Sequence, residues 1–126
     1  MHSERLLDHF QNPRNAGELG PPAIVVDVTN PACGDMLRLS ARFANERVVE
    51  ARFLTRGCTA AIAAGSALTE WMAGKSCGEL ATLAAADIEM AVGGLEPASK
   101  HAAVLCVDAV RQLLASAALP GRGAGK

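Results

Sequence analysis

The sequence predicts an α+β fold: a three-stranded antiparallel sheet with helices packed on one face and a long C-terminal helix. Residues 23–30 are rich in β-branched side chains, over 36–43 and 48–55 apolar and polar side chains alternate in the pattern of half-buried strands, and from residue 58 apolar positions recur at helical spacing. Strands followed by helices, rather than interleaved with them, argue for one sheet covered by a helical layer. Composition adds a third observation. Half of the 126 residues are apolar, yet only 3% are aromatic and none is Tyr. The core must be built from Ala, Leu and Val, which lets layers approach closely.

Ser3 is placed to cap a short helix through Glu4, Leu6, Leu7 and Phe10, which NPRN (12–15) stops near Pro13. His2 and His9 flank this helix and read as solvated. AIVVDVTN (23–30) is rich in β-branched residues and reads as a strand. MLRLSARF (36–43) sets Leu37, Leu39, Ala41 and Phe43 against Arg38, Ser40 and Arg42. ANER (44–47) is a turn, and VVEARFLT (48–55) sets Val49, Ala51 and Phe53 against Glu50 and Arg52. The result is a meander with one wet face.

Residues 58–75 have high helix propensity, with Ile62, Leu68, Trp71 and Met72 at helical spacing and Gly74 as the stop. CGELATL and ADIEMAV are two short helical pieces, and GGLEP breaks the chain. Residues 99–119 form a final amphipathic helix with Val104, Leu105, Ala109 and Leu113 inward. With no repeat and no linker, residues 1–119 are expected to form a single domain, and PGRGAGK (120–126) a flexible tail.

The bulk numbers exclude several classes. With 12 basic and 13 acidic residues the net charge is −1, so there is no electrostatic case for nucleic acid. No apolar run is long enough to span a bilayer, and the charged start MHSERLLDHF is no secretory signal. A cytoplasmic setting follows, in which Cys33, Cys58, Cys77 and Cys106 are thiols rather than disulfides. None of them lies in a CxxC pair, so neither a zinc ribbon nor a thioredoxin-type site is indicated.

Three places carry candidate chemistry. PACGD (31–35) puts a thiol, Cys33, and a carboxylate, Asp35, in one Pro/Gly-punctuated loop, a soft and a hard ligand able to face one ion. RGC (56–58) puts Cys58 at the start of the long helix, where backbone amides and the helix dipole favour an anionic sulfur. KH (100–101) puts His101 at the start of the last helix. All are element termini, which an α+β layer fold can bring to one end. Cys77 reads as a half-exposed helix-start residue. Cys106, mid-helix among Val and Leu, reads as a small hydrophobe.

Taken together, NPRN (12–15), PACGD (31–35), ARFLTRGCTAAIA (51–63), TEW-x-x-GK (69–75) and H-x₆-DA (101–109) resemble, in order and spacing, the iron–sulfur cluster assembly scaffolds of the IscU/SufU/NifU N-terminal type. The resemblance covers roughly residues 4 to 115. It implies a scaffold rather than an enzyme, one that builds a labile [2Fe–2S] cluster from iron and the sulfur of a cysteine desulfurase and hands it to apo-proteins. By matching positions it implies Cys33, Asp35, Cys58 and His101 as the groups that hold the cluster or a metal, zinc included.

The third cysteine that follows the histidine in such scaffolds is Ala102 here, and Cys106 lies four residues on, a weak candidate to replace it. This departure opens an alternative: a degenerate member that holds zinc or iron stably as a sulfur relay or regulator. Of the LPPVK-like segment that an Hsp70-type chaperone reads in relatives, only Leu95, Pro97 and Lys100 survive, at poor spacing, which argues against chaperone-driven transfer. A thiol hydrolase using Cys58 as nucleophile, His101 as base and Asp35 as orienter would have no use for a second thiol at Cys33.

Overall fold

The computed structural model describes residues 2–31 and 34–117. The chain runs α1 (Glu4–Gln11), β1 (Ile24–Thr29), β2 (Met36–Ala44), β3 (Arg47–Arg56), α2 (Thr59–Met72), α3 (Cys77–Leu80), α4 (Ala85–Ala91), a 3₁₀ turn (Pro97–Ser99) and α5 (His101–Ala117). The three strands form one antiparallel sheet in the order β1-β2-β3. The expected α+β fold with its long C-terminal helix is present. No helix among the described residues is long and apolar enough to cross a membrane.

One face of the sheet is the core. Val26, Val28, Leu37, Leu39, Ala41, Val48, Ala51 and Phe53 are buried there, with α5 packed over β1 and β2 and α2 over β3. The Ala-rich composition has its structural counterpart in α2, where Ala60, Ala61, Ala63, Ala64 and Ala67 are all buried. Close approach reaches its limit at Gly65. A Cβ there would lie 2.5 Å from Cδ2 of the buried Phe53 ring, so only glycine lets this helix sit so near β3.

The hairpin joining β2 to β3 turns at Asn45 and Glu46, both with positive φ (54° and 62°), the two-residue turn whose twist matches the strands. Beyond it the pairing register shifts. Arg42 pairs with Glu50 but Phe43 pairs with Val48, which leaves Val49 as the extra residue of a β-bulge. The bulge corrects the alternation expected from sequence: Val48 is buried, and Val49 is 49% exposed.

The wet face is also not uniformly wet. Ser40 is fully buried beneath the chain that precedes β1, and its hydroxyl accepts the Leu19 N–H at 3.1 Å. That same preceding chain closes part of the free edge of β3, where Phe53 N–H donates to Asn15 O and Gly17 N–H to Phe53 O.

Ser3 caps α1 as expected, accepting the Leu6 N–H at 3.0 Å and donating to Val92 O. His9 departs from expectation. It is buried between α1 and α2 rather than solvated, with Nδ1 2.8 Å from Ser66 Oγ, because α1 lies along α2 and presents its last turn to that helix. His2 is half-buried. On α5, Leu105, Ala109 and Leu113 face inward, but Val104 is 50% exposed. The buried stripe runs through Ala102, Ala103, Cys106 and Val110 instead.

Candidate functional site

Three element ends meet at one end of the sheet. Asp35 closes the loop between β1 and β2. This loop is held by Asn30 N–H donating to Asp35 O at 2.8 Å and Gly34 N–H to Asn30 O at 2.7 Å, with Gly34 at φ +78°, a conformation that favours glycine. Cys58 is the N-cap of α2. Its own carbonyl accepts the Ile62 N–H, while its side chain makes no capping bond and stays available to the site. His101 is the first residue of α5, placed by the 3₁₀ turn that Pro97 initiates.

One ligand atom from each of Asp35, Cys58 and His101 lies within 4.8 Å of the other two. Asp35 Oδ2 is the hub, 3.0 Å from His101 Nε2 and 3.7 Å from Cys58 Sγ, whose S–H donates to it. The burial is graded: Asp35 is 9% exposed, His101 is half-buried and the Cys58 thiol is open to solvent. A buried carboxylate that already accepts two donors is held in place for an ion, while the exposed thiol gives access from outside.

The expected site residues are thus brought together for three of the four. The fourth, Cys33, lies outside the described residues. Cys106 is 1% exposed, and burial pushes its thiol up to about 12, so it is a core side chain rather than a ligand. Ala102, beside His101, is buried as well. Cys77 sits half-buried at the first position of the four-residue α3, behind the Ser76 cap.

Sequence reasoning did not register the role of Gly57. A Cβ on Gly57 would lie 2.7 Å from Asp35 Cγ and 2.9 Å from both carboxylate oxygens, so the carboxylate rests directly against a bare backbone. The signal was a glycine immediately before a candidate ligand; what it had to clear was visible only once β2 and β3 were paired.

The donor set fits a metal of borderline softness. One carboxylate oxygen, one imidazole nitrogen and one thiolate sulfur are ligand types that zinc and iron accept. Tetrahedral bonds of about 2.0–2.3 Å set ligand atoms about 3.3–3.6 Å apart, close to the 3.0 Å between Asp35 Oδ2 and His101 Nε2 and the 3.7 Å between Asp35 Oδ2 and Cys58 Sγ.

A sheet covered by helices, with a mixed Cys/Asp/His cluster at its end that could hold a metal ion, defines an α+β domain with a candidate metal site at its rim. The comparisons identify the family. The NifU-like N terminal domain matches residues 1–118, and the chain belongs to that family.

Among curated relatives, the chain is 42% identical over 113 residues to the bifunctional protein NifU/MnmA of Rubrobacter xylanophilus, covering 88% of this chain and 23% of that one. It is 37% identical over 114 residues to the iron–sulfur cluster assembly scaffold protein IscU 1 of Archaeoglobus fulgidus, covering 90% of this chain and 74% of that one. Among solved structures, a putative iron–sulfur cluster assembly scaffold protein for the SUF system from Fervidobacterium islandicum AW-1 superposes with a TM-score of 0.62 at 20% identity. It covers 94% of this chain and 90% of that one, a likeness of fold.

Proposed function

We propose that this chain is an iron–sulfur cluster assembly scaffold. It takes iron and desulfurase-derived sulfur, gathers them into a labile [2Fe–2S] cluster held by Cys33, Asp35, Cys58 and His101, and releases that cargo to apo-proteins. The observation that carries the reading is the convergence of Asp35, Cys58 and His101, from three separate elements, in a member of the NifU-like family. The names of its relatives as cluster assembly scaffolds support it. Mixed ligation by thiolate, carboxylate and imidazole binds a cluster less firmly than four thiolates, which suits a protein that must let its product go. The free thiols Cys58, Cys77 and Cys106 suit a reducing, cytoplasmic setting.

The test is anaerobic reconstitution with ferrous iron and sulfide. Visible charge-transfer absorption is expected in the parent and is expected to be lost in Cys58→Ala and Asp35→Ala. A protein that stays colourless under these conditions is not a scaffold.

A second reading has one observation in its favour. Among the described residues the donor cluster holds a single thiol, and Cys106 is sealed in the core where it adds none. Such a site could keep one zinc or iron ion as a stable fixture. Metal analysis after extensive dialysis separates the two readings, since a retained stoichiometric ion with no chromophore favours the second.

A further inference from the structure

Beside the donor cluster, on the sheet face away from the helices, lies a cleft of about 240 Å³ lined by Asp27, Met36, Arg38, Leu54, Thr55 and Arg56. It is continuous with the site in the chain: Met36 follows Asp35, and Arg56 precedes Gly57 and Cys58. Its wall is braced by the Thr55 hydroxyl, which donates to Met36 O at 2.7 Å. Leu54 is 44% exposed there, a large apolar side chain that no element among the described residues covers.

The charges in the cleft are unbalanced. Arg38 is doubly matched, to Asp27 at 2.7 Å and Glu18 at 2.9 Å. Arg14, Arg42, Arg47 and Arg52 likewise each have a carboxylate partner. The Arg56 guanidinium has neither an ion pair nor a hydrogen bond among the described residues. An unmatched guanidinium beside an uncovered Leu calls for a carboxylate next to an apolar group. The volume falls below the roughly 300–1,000 Å³ of small-molecule pockets, which favours side chains of a polypeptide.

We propose that this cleft docks an extended, carboxylate-bearing segment of the protein that delivers sulfur, with Arg56 as its anchor and Met36 and Leu54 as the seat of a neighbouring apolar side chain. The inference rests on the scaffold reading and names the entry side of its site. Arg56 stands two residues before the exposed thiol of Cys58, and two extended residues span about 7 Å. A partner carboxylate held at Arg56 therefore sets a cysteine two residues away in its own chain over Cys58 Sγ. A sulfur donor has to present one atom to one thiol, which a narrow cleft allows: the Cys58 sulfur, as thiolate, attacks the outer sulfur of the donor's cysteine persulfide, a new S–S bond forms on Cys58, the donor's S–S bond breaks, and the donor cysteine leaves as its thiolate. An acceptor has to bring several ligands at once, which it does not.

The experiment follows sulfur transfer from a purified cysteine desulfurase supplied with cysteine to iron-free protein, read as persulfide on Cys58 by mass spectrometry. The parent is compared with Arg56→Glu, Arg56→Gln and Arg111→Glu, the last being an exposed arginine of α5, ten residues beyond His101. Arg56→Glu is expected to slow transfer about tenfold at low salt and to flatten its salt dependence, with Arg56→Gln intermediate and Arg111→Glu unchanged.

Loading with ferrous iron and sulfide alone, without a partner, is expected to stay at the parent level in all three variants. Equal slowing by Arg56→Glu and Arg111→Glu overturns the proposal. So does normal sulfur transfer with slowed cluster delivery to an apo-ferredoxin, which would make the cleft an acceptor site, and so does loss of chemical loading in Arg56→Glu. A parent that fails chemical loading sinks the scaffold reading instead, while the transfer comparison still reports on docking.

Discussion

Asp35 Oδ2 lies 3.0 Å from His101 Nε2, tying the loop between β1 and β2 to the first turn of α5 across 66 positions of chain. The same oxygen accepts the Cys58 thiol, so one buried carboxylate holds the other two donors before any ion arrives. Preformed hydrogen bonds of this kind orient ligands, and their disturbance weakens binding without unfolding the protein.

Gly57→Ala tests that orientation without touching a ligand. The new methyl would sit 2.7 Å from Asp35 Cγ, so the carboxylate must move and the 3.0 Å contact to His101 must open. Zinc affinity by calorimetry is expected to fall about 10–100-fold, the cost usual for disturbed ligand orientation. The melting temperature should move little, since Gly57 is exposed. Unchanged affinity would mean the carboxylate is free to find the ion from other positions.

Gly65→Ala tests the layer spacing. Alanine favours a helix over glycine by about 1 kcal/mol, but here its Cβ meets the Phe53 ring at 2.5 Å. Overpacking in a dense core costs about 1–3 kcal/mol. The collision should outweigh the propensity, lowering the urea midpoint with an unchanged slope. A stabilised variant would show that α2 can lift off β3 freely.

How much of this was legible beforehand depended on range. Local rules placed the Ser3 cap, the turn at Asn45 and Glu46 and the helix starting after Cys58, because each depends on residues a few positions apart. They also placed Asp35, Cys58 and His101 at element ends, though nothing local says that three ends coincide; the resemblance to known scaffolds supplied that.

What escaped was non-local. Alternation alone put Val49 inward, because a bulge is defined by the partner strand. Ser40 was expected to face water, and is covered by a loop more than twenty positions away. His9 was read as solvated because the polar pocket that takes it, Ser66, belongs to another helix. Val104 was set inward because a helix of many apolar residues offers more than one plausible stripe.

His9 makes stability depend on pH. His9 Nδ1 lies 2.8 Å from Ser66 Oγ, which also accepts the Arg14 N–H at 2.8 Å. Burial, and next the positive charge of Arg14, hold His9 below its usual value of 6.5, with Glu70 and Asp8 acting in the opposite sense. A base with a lowered folded pKa binds fewer protons folded than unfolded, so stability is complete above 6.5 and is lost as pH falls below it. The parent should lose urea stability from pH 6.5 to 5, and His9→Gln, less stable at neutral pH, should show a flatter profile across that window. Parallel profiles would remove His9 as the cause.

Cys106 separates core from site. At 1% exposure, with its thiol pushed up to about 12 by burial, it offers neither access nor thiolate. Alkylation by iodoacetamide at pH 8, mapped by mass spectrometry, should modify Cys58 and Cys77 in the folded protein and reach Cys106 only after unfolding. Cys106→Ala should cost about 1 kcal/mol of stability, the usual scale for a small core truncation, and leave metal stoichiometry and affinity at the parent level. Loss of a bound metal in that variant would place the Cys106 sulfur in the site, and α5 would then have to begin later or turn further than His101 and Ala102 now allow.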